Sequence, residues 1–208
     1  MSKELSELLS LFKEQKYSVA EKKCCKLIKK IKPNYEVFNI YAVILFELKK
    51  YDDAIKQWKK AIELNPKYHF GHNNLGNAYL KKKNLKEALN CYHKAIHIKP
   101  DYHEAHHNKG NVLRKTNDFA NAIESFDKAL KIKSDYLPAL KNITELHIMQ
   151  KNFSEAIKLL DRISIYDPSN VKTYIQKANI FFEKNFFKEG IKNYQTAYDL
   201  NPEHPFLL

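Results

Sequence analysis

Apolar and small residues recur along the chain every 34 positions. Ala20, Ala54, Ala88, Ala122, Ala156 and Gly190 stand at one such place, and three positions before them come Tyr17, Tyr51, Leu85, Phe119, Phe153 and Phe187. Four positions after them come Cys24, Trp58, Tyr92, Phe126, Leu160 and Tyr194, and three further on Leu27, Ala61, Ala95, Ala129, Ile163 and Ala197. Steps of three and four put these residues on one face of an α-helix. Prolines 66, 100, 168 and 202 keep the same spacing, with Ser134 of "KIKSDY" at the remaining place. Each period therefore predicts two helices, A and B, joined by a polar turn such as "KKKN", "KTND" or "QKN" and stopped by a proline.

Small residues at the eighth, twentieth and twenty-seventh places of a unit let the two helices approach, and the large residues between them fill the seam. The unit 69–102 carries Leu75, Gly76, Tyr79, Ala88, Tyr92, Ala95 and Pro100 in order. In this the chain resembles the tetratricopeptide repeat family over essentially its whole length. The resemblance implies an all-α fold, a right-handed α-solenoid (superhelix) of antiparallel helix pairs. Six units are expected, 1–34, 35–68, 69–102, 103–136, 137–170 and 171–204, in a single array over 1–208, with 205–208 starting a further unit or capping helix. Two units depart from the pattern: the first has Leu8, Cys24 and Leu27, and the fifth has Thr144, His147, Leu160 and Ile163. A terminal unit lacks an outer neighbour and is expected to be atypical. The fifth has no such reason, and a change of curvature and simple drift both remain open.

The family resemblance puts places 2, 5, 6, 9, 12 and 13 of each unit in a concave groove lined by the A helices. Place 6 carries Asn74, Asn108, Asn142 and Gln176, and place 9 carries Asn77, Asn111, Glu145 and Asn179. Asn and Gly are costly in a helix, and "HNNLGNAYL", residues 72–80, spends four of nine positions on them. A side-chain amide offers a donor and an acceptor together, matching the N–H and C=O of an extended peptide. The expected site is an amide ladder of Asn73, Asn74, Asn77, Asn108, Asn111, Asn142, Gln176 and Asn179, which binds a protein or peptide ligand and is not required by packing. In the second unit, Ile40, Val43 and Phe46 make the groove apolar, which reads either as hydrophobic anchors for a ligand or as a surface covered by the first unit and an N-terminal neighbour; burial is the expected role. A variant of the fold that grips a C-terminal carboxylate needs cations as well as amides. Asn111, Asn142 and Lys172 fit it, but His107 and Gln176 replace two of its cations, so this chemistry is not expected.

Composition adds limits. A net charge of +12 is concentrated in the first three units, in "EKKCCKLIKKIK" and "KKKNLK". These lysines lie outside the expected groove and lack the interleaved aromatics of a nucleic-acid surface, so they read as solvated faces rather than a phosphate-binding patch. Cysteines 24, 25 and 91 form neither a CxxC pair nor an even framework, which predicts a reducing, cytoplasmic setting without disulfides or structural zinc. No apolar run is long enough to span a bilayer. His69, His72, His103, His106 and His107 recur across two units and read as exposed or groove-lining residues rather than metal ligands. Neither a nucleophile and base pair nor a phosphate loop emerges, so no catalysis, cofactor or metal is expected within the chain.

The ending, "NPEHPFLL", leaves apolar residues where a solenoid closes with a polar cap, and suggests a fragment of a longer protein. The amide ladder and this ending resemble the repeat arm of bacterial relatives of O-linked N-acetylglucosamine transferase, which implies recruitment of protein substrates to a domain further along. The alternatives are a free-standing scaffold for folded partners and a basic nucleic-acid-binding solenoid.

Overall fold

A computed structural model describes residues 3–30 and 34–203. The expected start of a further unit at Pro205 lies outside the described residues. Among them the chain forms twelve α-helices and no strand: α1 (Lys3–Lys13), α2 (Tyr17–Lys30), α3 (Tyr35–Glu47), α4 (Tyr51–Leu64), α5 (His69–Lys81), α6 (Leu85–Ile98), α7 (His103–Lys115), α8 (Phe119–Ile132), α9 (Leu137–Met149), α10 (Phe153–Tyr166), α11 (Val171–Glu183) and α12 (Phe187–Leu200). Helices α3, α5, α7, α9 and α11 begin 34 residues apart, and so do all six even-numbered helices. The fold is thus the expected all-α solenoid of paired helices, with the odd-numbered helices as A and the even-numbered as B. B helices stop two residues before prolines 66, 100, 168 and 202, because the ring lacks an N–H and restricts the residue before it.

What ends the A helices is a feature the sequence hides. Gln15, Lys49, Lys83, Asn117, Lys151 and Asn185, again 34 apart, adopt left-handed φ values of 56° to 61°, and no glycine has positive φ. At Lys49 the backbone N–H donates to the Phe46 carbonyl and the next N–H, of Lys50, to that of Leu45. The same two bonds recur around Gln15, Lys83, Lys151 and Asn185. This is the Schellman termination, which glycine usually supplies. Lys, Asn and Gln take it at a strain cost of about 1 kcal/mol each.

The chain divides into two compact bodies, Met1–Thr116 and Asn117–Leu208, with the break between the A and B helices of the fourth repeat. In the N-terminal body, Ala42, Leu45, Ala54, Trp58, Leu75, Ala78 and Cys91 form one buried cluster, and Leu8, Ala20, Cys24, Val37 and Ile44 another. The small residues work by contact: a Cβ added at Gly76 would lie 2.6 Å from the Tyr92 ring, so only glycine lets α6 come this close. In the C-terminal body a Cβ at Gly190 would meet the Phe182 ring at the same distance. The fifth repeat reaches the same closure by another volume split. Thr144 and Leu160, both fully buried, stand at the places held by Gly76 and Tyr92 in the third, a medium pair in place of a small and a large one. Its departure from the pattern is therefore a repacking of the seam.

Candidate functional site

The amide-bearing positions lie on the A helices, and the two bodies use them differently. In the N-terminal body Val43, Phe46 and Glu47 of α3, Trp58 of α4, and Asn74 and Asn77 of α5 line a cleft of about 250 Å³. Its floor is aromatic: Phe46 stacks against Trp58 with ring centroids 5.8 Å apart and against Tyr51 at 5.4 Å. Trp58, only 2% exposed, donates its indole N–H to Asn39 Oδ1 at 3.0 Å. The rim is polar, with Asn74 and Asn77 on one side and the exposed carboxylate Glu47 on the other.

The expectation that packing makes no use of the amides is corrected by their partners. Asn77 Oδ1 accepts the Tyr92 hydroxyl at 2.7 Å, and in the C-terminal body Asn179 Oδ1 accepts that of Tyr194. At place 9 the amide thus braces its own helix hairpin through a B-helix tyrosine. Burial raises the Tyr92 phenol well above its ordinary value, which keeps it a donor. Asn73 is 4% exposed, accepts from Asn108 Nδ2 at 3.0 Å, and donates to Asn74 Oδ1 at 3.5 Å. It ties α5 to α7 rather than facing a ligand. Asn111 pairs with the His107 ring at about 3.4 Å. Asn74 keeps its side chain on the cleft.

The histidine expectation also changes. His72 and His106 are buried, and their Nε2 atoms lie 3.0 and 2.9 Å from the carbonyls of Pro66 and Pro100, six residues back. The Tyr174 hydroxyl donates to the Pro168 carbonyl in the same way at 3.1 Å. In the third, fourth and sixth repeats place 4 therefore pins the turn that precedes it, a role any donor of the right reach can fill. His69 packs at a tilt against Phe70 and edge-on to Tyr102, and its Nε2 is buried without a hydrogen bond. Burial lowers the pKa of both His69 and His72. Among the described residues no three His, Cys, Asp or Glu side chains converge as a metal site would require. Burial raises the Cys24 thiol to about 12 and Cys91 to about 11, which leaves both poor nucleophiles.

In the C-terminal body Lys141, Glu145, Ile163, Asn170, Lys172, Thr173 and Gln176 line a smaller cleft of about 100 Å³. Its charges are paired: Lys172 meets Glu145 within the cleft at 3.0 Å, and Lys141 meets Asp167, outside the lining, at 3.1 Å. Gln176 is on this cleft, whereas Asn179 is exposed and engaged by Tyr194. Sequence reasoning missed Glu47, Trp58 and Asn39. Their signal was the single break in the apolar run "IYAVILFE", where a carboxylate ends the helix on its groove side.

The helix pairs agree with comparisons to known proteins. A family model described as TPR repeat matches residues 43–83 and 76–116, and one described as tetratricopeptide repeat matches 113–177. No curated protein sequence matches the chain. Among solved structures it is similar to pilF of Pseudomonas aeruginosa, with TM-score 0.82 and 15% identity over 98% of this chain and 93% of that one. PilW, described as a widely conserved type IV pilus biogenesis factor, gives TM-score 0.80 and 18% identity over 98% and 94%. YrrB, described as a TPR protein with an unusual peptide-binding site, gives 0.70 and 19% over 87% and 93%. Identities this low show a shared fold. Among the described residues, no helix is long and apolar enough to cross a membrane. The family matches run unbroken over 43–177, well over half of the sequence, and the chain belongs to the tetratricopeptide repeat family.

Proposed function

We propose that the chain is a protein-interaction module that takes an extended peptide segment along its A helices, each body offering its own surface. The observation that carries this reading is the N-terminal cleft, where an aromatic floor is edged by Asn74 and Asn77. An apolar floor rewards side-chain burial, and amides at its edge satisfy the peptide backbone that burial would otherwise leave unpaired. Bracing by Tyr92 supports the role: with its Oδ1 held, Asn77 presents its NH2 in a fixed direction, and a donor already ordered loses less entropy on binding.

Substituting Asn74→Ala leaves the helix intact, since Ala is the better helix former, and weakens capture of peptides selected on the wild-type chain by about tenfold. Titration of labelled peptides by fluorescence anisotropy measures this, and unchanged affinity would sink the reading. If the gene continues past residue 208 into a transferase domain, the same surface serves as its substrate-recruiting arm. The downstream reading frame decides between that arm and a free-standing scaffold.

A further inference from the structure

We propose that the N-terminal cleft is an arginine-selecting pocket, so that the extended ligand carries an arginine seated between α3 and α5. This rests on the groove reading above and names the side chain that anchors the ligand. The volume is the first argument. About 250 Å³ falls below the roughly 300–1,000 Å³ of small-molecule pockets and suits one long side chain.

The lining is the second. Glu47 is exposed at the rim, and none of the described cations pairs with it. The carboxylates near the C-terminal cleft are satisfied internally, Glu145 by Lys172 and Asp167 by Lys141. A carboxylate at the rim of an aromatic-floored cleft asks for a side chain with an apolar stem and a flat cationic head. Arginine has both. Its guanidinium forks onto a carboxylate and stacks on an aromatic face. Lysine is a compact, strongly hydrated charge and uses fewer of these groups.

Register is the third argument. Glu47 stands at place 13 of its repeat, and the same place holds Lys81 on α5 and Lys115 on α7. At this register the N-terminal body offers a carboxylate on α3 and cations on α5 and α7, so an arginine is drawn to the α3 end alone.

The test uses the full chain and an array of random dodecapeptides, probed with wild type, Glu47→Gln and Glu47→Lys. Glu47 is exposed, and unchanged circular dichroism confirms that the variants fold. Wild type is expected to retain peptides enriched in arginine. Converting that arginine to citrulline or leucine should weaken binding about tenfold, as should Glu47→Gln with the arginine kept. Glu47→Lys should shift the enrichment to Asp and Glu. Trp58, the single tryptophan, should change its emission when an arginine peptide binds and not when the citrulline peptide is added at the same concentration. Enrichment in Leu or Phe instead of arginine, or an arginine preference that survives Glu47→Gln, overturns the pocket and leaves the groove reading standing. Retention of no peptide by the wild type overturns both.

Discussion

The third and fifth repeats occupy the same 34-residue template and solve it with different side chains. In the third, Gly76 faces Tyr92, and the tyrosine hydroxyl reaches through to hold Asn77. In the fifth, Thr144 and Leu160 fill the corresponding places, and the Thr144 hydroxyl turns back to the Leu140 carbonyl at 2.7 Å. An aromatic hydroxyl can brace a groove amide from the partner helix, and leucine cannot. The fifth repeat has Glu145 where the third has Asn77, held by Lys172 from the next A helix. The packing choice inside the hairpin thus goes with the chemistry shown on the groove: a braced amide in the third repeat, an ion pair in the fifth.

The bodies differ in polarity elsewhere. The C-terminal body buries Lys177, which reaches Asp161 at 2.6 Å, and exposes Ile165 and Ile191 at 74% and 61%. The N-terminal body holds its bulk in aromatic clusters around Trp58 and Tyr92.

Truncating the large residue of each seam tests the contrast most strongly. Trp58→Ala should cost about 4 kcal/mol and Leu160→Ala about 3 kcal/mol, read from urea unfolding by circular dichroism. The tryptophan variant should also lose the cleft, and equal peptide binding by both variants would contradict the part proposed for the aromatic-floored cleft. Next comes Gly76→Ala, which drives a methyl into the Tyr92 ring and should destabilise by about 2 kcal/mol. A companion Thr144→Ala removes one methyl and one hydroxyl from a seam with no ring to displace, and should cost about 1 kcal/mol. A larger loss at Thr144 than at Gly76 would refute the volume split.

Acid should separate the bodies further. His69, His72 and His93, all in the N-terminal body, have pKa values lowered chiefly by burial. The unfolded chain binds these protons more readily, so stability falls as pH drops below the unfolded value of about 6.5 toward the lower folded values. Asp127 in the C-terminal body is raised by burial, and its contribution has the opposite sign, favouring folding as pH falls toward the carboxylate range. Unfolding followed by Trp58 fluorescence should lose midpoint between pH 7 and pH 5, and His72→Gln should reduce that loss. A midpoint that does not move excludes the buried neutral histidines as the cause. The smallest effect belongs to the left-handed turns, where the bodies should agree. Lys83→Gly and Lys151→Gly should each stabilise by about 0.5–1 kcal/mol, because glycine removes the Cβ strain at φ values of 61° and 57°. Destabilisation at either site would show that the lysine stems pack usefully there.

The helix pairs, their order and their seams were legible in the sequence, because a 34-residue period of small and large apolar residues has one efficient burial, and each copy repeats the vote. The left-handed residues were not, because the usual glycine signal is missing and only the backbone reveals them. Site residues were legible by type and not by role. Asn73 read as a ligand contact, yet it is buried and bonds to Asn108, and the side-chain oxygens of Asn77 and Asn179 are held by Tyr92 and Tyr194. His72 and His106 read as surface histidines and are buried turn pins. By itself the sequence determined which apolar residues are inside, because their burial depends on periodicity along a helix, which is a local property. Only the tertiary structure decided which polar groups are paired with which, because pairing depends on side chains from other helices, fifteen to thirty-five residues away.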